Sequence, residues 1–226
     1  MDFERWQSTN GSEVLWLSGP AECRISDASS HIVNLVKGES SKAQYLVLYF
    51  FCSTAPAEAS IAITFVSTIV HQLVSDLPQL GGEVTTAFLR TLLDTVIRGK
   101  LPSDPAPSRF KKDDDSAEAT VKEILKASIN EYWLALRAAM DVVNDQELSL
   151  IVDGLDKIRD QKRAFVTEIR SLIEHLRERP HTTRVLLTSR PQAEMKEILS
   201  ELPCIEYDKE RKGSIISRSL RYAILS

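Results

Sequence analysis

Three stretches of this sequence carry residue types that could handle phosphate. The first is Leu17-Ser18-Gly19-Pro20-Ala21-Glu22-Cys23-Arg24-Ile25-Ser26, and it runs into a helical stretch, Asp27–Lys37. Against the phosphate-binding pattern G-x-x-x-x-G-K-[ST], Gly19 and Ser26 take the first and last places, while Arg24 stands at the second glycine and Ile25 at the lysine. Such a loop works by presenting successive backbone N–H groups at a helix N-terminus, and its lysine supplies the cation for the terminal phosphates. Ile25 cannot do that. The second stretch, Leu148-Ser149-Leu150-Ile151-Val152-Asp153-Gly154-Leu155-Asp156, is an apolar strand ending in an acid of the kind that holds a Mg²⁺ shell. The third, Val185-Leu186-Leu187-Thr188-Ser189-Arg190-Pro191, ends in polar residues and an arginine that could face the same phosphate.

Other chemistry is thinner. Lys157 beside the acids is a conceivable substitute cation, with an exposed helix-start lysine as the simpler reading. The run Asp113–Asp115 has neither a glycine turn nor spaced ligands, so it reads as solvated loop rather than a cation site. Cys23 lies in the loop without a recognisable base, His71 reads as a half-buried packing residue, and Trp6, Trp16 and Trp133 read as core. No GxSxG, HExxH or paired-carboxylate pattern occurs.

The elements that must position these residues follow from periodicity. Five apolar runs, Val14–Ser18, Tyr45–Phe51, Leu148–Val152, Arg184–Thr188 and Cys204–Tyr207, are continuous rather than alternating, as parallel strands covered on both faces are. Between them lie helical stripes: Ile61, Phe65, Ile69, Leu73, Leu77; then Val121, Leu125, Ser128, Tyr132, Leu136, Val143; then Phe165, Ile169, Leu172, Leu176; and Met195, Ile198, Leu202. Alternation of this kind predicts an α/β fold with a parallel sheet. The segment 99–116, with three prolines and the run KKDDD, reads as a flexible surface loop.

Composition bounds the rest. The 226 residues are 43% hydrophobic and 27% charged, an ordinary globular mixture of a size that can bury a core unaided. A net charge of −4 argues against general nucleic-acid binding. Residues 209–226 form a basic tail or linker of net +4, so residues 1–208 carry −8. Three cysteines without CxxC spacing do not make a disulfide framework. With no transmembrane run and no secretory signal, a cytoplasmic setting is expected.

The three stretches in this order, with YLVLYFFCS and the IAITFVSTIVHQL helix, resemble the NACHT-type nucleotide-binding domain of fungal STAND proteins, relatives of NOD-like receptors. The resemblance runs from about Val14 to Pro203, and LPCIEYDKERK with SLRY is similar to the segment leading out of such a unit. It implies a P-loop NTPase-like, five-stranded parallel sheet of order 5-1-4-3-2 with helices on both faces. The domain would span 14–208, after a lead-in over 1–13. It implies ATP or ADP with Mg²⁺ as ligand; the residues alone assign no cofactor. Carried over by position, Gly19, Arg24, Ser26, Asp153 and Arg190 would bind the nucleotide, Ser26 and Asp153 would hold Mg²⁺, and Asp156 and Arg190 would be the catalytic acid and sensor. Protein partners, flanking signalling domains or self-association are the associations implied; nucleic acid and a membrane span are not.

The departures matter as much. Arg24-Ile25 replace Gly-Lys, and Lys157 stands where a glutamate commonly follows the strand-end acids. The chain also ends soon after the fifth strand, without room for the modules that usually close over nucleotide. Phosphoryl transfer is almost wholly positional and electrostatic, so both losses fall on one reaction. Three readings stay open, in this order: a non-catalytic pseudo-NTPase acting as a regulatory or interaction unit; a nucleotide-loading switch with slow or no turnover; an NTPase using substitute residues.

Overall fold

The computed structural model describes Trp6 and residues 12–39, 45–52, 61–76, 115–143, 146–159 and 161–207, with the backbone alone at 39, 74, 76 and 115–128. In chain order the elements are β1 (Glu13–Ser18), α1 (Ile25–Glu39), β2 (Tyr45–Phe51), α2 (Ile61–Asp76), α3 (Asp115–Val142), β3 (Glu147–Asp153), α4 (Lys162–Arg177), β4 (Thr183–Ser189), α5 (Ala193–Ile198) and β5 (Cys204–Glu206). All pairings are parallel and the order is β2-β3-β4-β1-β5. This is the expected order read from the opposite edge.

The continuous apolar runs are explained by two cores, one on each face of the sheet. Val14 and Trp16 of β1, Leu46, Leu48 and Phe50 of β2, and Leu148, Leu150 and Val152 of β3 face α2, α3, α4 and α5. Their neighbours Leu15, Leu17, Val47 and Ile151 face α1 and Trp6. The larger core centres on Phe65, whose ring lies 5.3 Å from Phe50, 5.3 Å from Trp133 and 5.4 Å from Phe165. Each such side chain taken out of water contributes roughly 1.5–3 kcal/mol. In α4 the six buried residues from Phe165 to Leu176 form one stripe, and His175 and Arg177 sit at its C-terminal end, where the helix dipole favours positive charge.

Several boundaries differ from the sequence expectation. Asp115 and Ser116 belong to α3 rather than to the loop, because a helix can begin in acidic, polar residues that suit its positive end. The rest of the 99–116 stretch and the 209–226 tail lie outside the described residues. Leu202 follows α5 in a turn, and Tyr207 lies just past β5. His71 is exposed: the buried positions of α2 are Ala62, Phe65, Val66, Ile69 and Leu73, and residue 71 points away from that stripe. Trp6, Trp16 and Trp133 are all buried. Among the described residues no helix is long and apolar enough to cross a membrane.

Because every strand runs the same way, the C-terminal ends of β1, β3 and β4 gather at one edge. β4 lies between the other two, with Leu17 opposite Thr188 and Val152 opposite Leu187. Open α/β sheets bind ligands at that edge.

Candidate functional site

The loop leaving β1 makes a short 3₁₀ turn, Ala21–Cys23, and enters α1 through Arg24. The N–H of Gly19 donates to the Ser189 carbonyl at 3.3 Å, tying the loop to β4. A Cβ on Gly19 would lie 2.8 Å from Ile25 Cδ1 and 3.1 Å from the Tyr207 carbonyl oxygen, so a side chain there would push Ile25 aside and crowd the backbone after β5. Arg24 takes the left-handed conformation, φ 50° and ψ 44°, which costs a side-chain-bearing residue about 1–2 kcal/mol. Glycine adopts that conformation without this cost. The Arg24 carbonyl accepts from the N–H of Asp27 at 3.0 Å and Ala28 at 3.2 Å, opening the helix. Its guanidinium pairs with Asp27 at 2.5 Å on the surface, a contact that contributes little.

Asp153 closes β3 with its side chain fully buried on the α1 side of the sheet. Three hydroxyls converge on it: Ser26 donates to Oδ2 at 2.7 Å, and Thr188 and Ser29 approach Oδ1 at 2.6 and 2.8 Å. Ser29 also lies 3.0 Å from the Ile25 carbonyl and shares its proton between the two acceptors. The charge is answered by Lys157, whose Nζ lies 3.5 Å from Asp153 Oδ2 and 3.1 Å from Ser26 Oγ. Lys157 is only partly exposed, so the simpler reading of it as a solvent-facing helix-start lysine is corrected. It sits at the end of a 3₁₀ turn, Leu155–Lys157, that bends back over Gly154. Gly154 has φ 78°, and a Cβ there would meet Lys157 Cδ, Cε and Nζ, each at 3.0 Å. The Gly154 N–H donates to the Thr188 hydroxyl and carbonyl at 3.0 and 3.1 Å, fixing the turn against β4.

Asp156 and Arg190 form a second pair. Asp156 Oδ1 accepts the Arg190 backbone N–H at 2.9 Å, and Oδ2 lies 3.5 Å from its Nε. The Asp156 carboxylate is nearly buried, while the Arg190 side chain is more than half exposed. Behind the site, the buried Cys52 thiol is pushed up to about 12, first by burial and then by the Asp153 charge, with Lys157 opposing. Cys23 is buried with Sγ 3.9 Å from the Tyr207 carbonyl, which gives it a structural place in the loop.

An open cleft of about 260 Å³ lies over the α1 N-terminus, lined among others by Gly19, Arg24, Ser26, Asp156, Lys157 and Arg190. All the site residues read from the sequence except Asp153 thus border one space, and Asp153 lies directly beneath it. Mg²⁺ does not fit this arrangement. It demands near-octahedral oxygen ligands at roughly 2.0–2.1 Å, and the two oxygens that would hold it, on Ser26 and Asp153, are both faced by the Lys157 ammonium group. A dication on those oxygens would lie against Lys157. Among the described residues, no group of three His, Cys, Asp or Glu side chains comes together to hold a metal ion.

Lys157 was visible in the sequence as a departure but not as a contact. Thr188 and Ser29 went unassigned. Ser29 follows Ser26 by three residues, the spacing that puts both on one helix face, and this is the signal that could have found it.

Fold and site together define a class: a parallel α/β domain in which the turn between β1 and α1 faces the acid that ends β3. The chain belongs to the nephrocystin 3 N-terminal family, whose sequence profile matches residues 1–190. Comparison with curated proteins finds no match.

Proposed function

We propose that the chain is a NACHT-type, STAND-related NTPase fold that has given up hydrolysis and serves as a regulatory or protein-interaction module. One observation carries this reading: the Ser26–Asp153 pair, which would hold Mg²⁺ in an active relative, is already engaged by Lys157. Ile25 adds to it, because its apolar side chain packs against Gly19 where a working loop would send a lysine toward the phosphates. Asp156, the remaining acid, is tied to Arg190 rather than free to orient water. Phosphoryl transfer without a metal, a loop lysine or a water-positioning acid has lost three of the groups on which it depends. Phosphate release from Mg²⁺-ATP by the purified chain tests this; the expected result is none above the buffer rate. Release that Asp153→Ala abolishes would establish an NTPase with substitute residues.

A second reading, an ATP- or ADP-loading switch, is favoured by the open cleft over the α1 N-terminus and the cations on its rim. Calorimetric titration with ATP and ADP separates it from a module that binds no nucleotide.

A further inference from the structure

We propose that Lys157 is the resident cation of the cleft, and that the site takes a di- or triphosphate anion without a divalent metal. The proposal rests on the reading of the chain as a non-hydrolysing NTPase fold and goes on to specify what the retained site would bind.

The argument begins with charge. Asp153 is buried and ionised chemistry at that depth needs a partner. In a metal-using site the partner is the metal, which bridges carboxylate, hydroxyl and phosphate. Here Lys157 Nζ contacts the same carboxylate and the same hydroxyl. An ammonium has three donors, and two of them account for these contacts. Among the described residues the third has no partner and remains for an anion, and the side chain borders the cleft in which that anion would sit.

Three further features agree. The turn carrying Lys157 is held by Gly154 in a conformation other residues resist, so the ammonium is placed by backbone geometry. The cleft also borders the start of α1, where the helix dipole favours negative charge, and the exposed guanidinium groups of Arg24 and Arg190, which pair with Asp27 and Asp156 on the same rim. The cleft, about 260 Å³ and open to solvent, has room for a phosphate chain alongside these groups. Phosphate chemistry is the shared requirement; a nucleotide or free polyphosphate could supply it.

The test is titration calorimetry of the full chain with inorganic tripolyphosphate, ADP and ATP, each in EDTA and in excess Mg²⁺. Binding in EDTA at least as tight as in Mg²⁺ is expected for tripolyphosphate, and comparison with ADP and ATP shows whether a nucleoside adds affinity. Lys157→Met should weaken the metal-free binding by about tenfold or more, as loss of a charged hydrogen bond does. Lys157→Arg should retain most of it. Lys157→Glu should abolish metal-free binding and make any remaining binding depend on Mg²⁺. Binding by the unaltered chain that requires Mg²⁺, or no binding of any probe, would overturn the proposal, and neither result depends on a variant folding. Unchanged affinity in folded Lys157→Met would also overturn it. Failure here is distinguishable from failure of the preceding reading: turnover of Mg²⁺-ATP removes the non-hydrolysing assignment, whereas absent metal-free binding without turnover removes only the role given to Lys157.

Discussion

At the scale of single residues, the site shows how one substitution changes the meaning of its neighbours. On the proposed reading Asp153 and Ser26 would be metal ligands, yet Lys157, four residues beyond Asp153, draws them into an ion-pair and hydrogen-bond network. Gly154 makes that possible. In Gly154→Ala the left-handed backbone becomes strained and the new Cβ pushes the flexible end of Lys157 away from Asp153. The expected loss is about 1–3 kcal/mol of stability, combining backbone strain with a weakened partner for a buried carboxylate. Urea unfolding measures it, and the same variant should lose metal-free tripolyphosphate binding. A fully stable variant with unchanged binding would show that the turn does not place the lysine.

At the scale of elements, the loop and the sheet edge each carry a prediction. Arg24 already holds the glycine-like conformation, so Arg24→Gly relieves strain at the cost of a surface ion pair, and Ile25→Lys then adds the missing cation. The double variant should gain thermal stability with ATP relative to the unaltered chain, read by melting with and without nucleotide. A folded variant with no gain would mean that the cleft no longer accepts the phosphates. At the β2 edge, Gln72 of α2 accepts from the Tyr49 N–H at 2.9 Å and donates to its carbonyl at 2.8 Å, covering one exposed ladder position. Gln72→Ala should cost about 1–2 kcal/mol and raise the tendency to associate, seen by unfolding and light scattering. Much of this level was legible beforehand. Continuous runs such as Leu148–Val152 matched strands buried on both sides, and the stripe from Phe165 to Leu176 matched a one-faced helix. Gly19, Ser26, Asp153 and Arg190 were readable because they end strands or open a helix. Lys157 was readable as a conceivable substitute cation, but its contact with Asp153 and Ser26 was not, since it depends on the φ of Gly154 and on the distance across the sheet edge from β3 to α1. Neither is encoded in residue spacing. Gln72 escaped for a similar reason: a polar residue on a helix reveals nothing until the strand beneath it is known.

At the scale of the whole molecule, the three cysteines report on how well the two cores seal. All are free; Cys23 and Cys52 are buried and Cys204 is exposed. Cys204 is held up to about 11, first by partial burial and then by Glu206, so at pH 8 its reactive thiolate is about a hundredfold scarcer than at the ordinary value of 9.0. Iodoacetamide should therefore label Cys204 first but slowly, and Cys23 and Cys52 only as the fold opens. Cys52 also sets an alkaline limit. Its folded value of about 12 lies above the 9.0 expected once unfolded, so between these values the unfolded chain releases a proton that the folded chain keeps. The contribution of Cys52 is complete below about pH 9 and is lost as pH rises toward 12, at up to about 1.4 kcal/mol per pH unit. Urea midpoints measured from pH 8 to 11 should fall accordingly, and Cys52→Ala should flatten that decline while lowering stability at pH 8 through the lost packing. An equally steep decline in the variant would show that the alkaline weakness arises elsewhere than at Cys52.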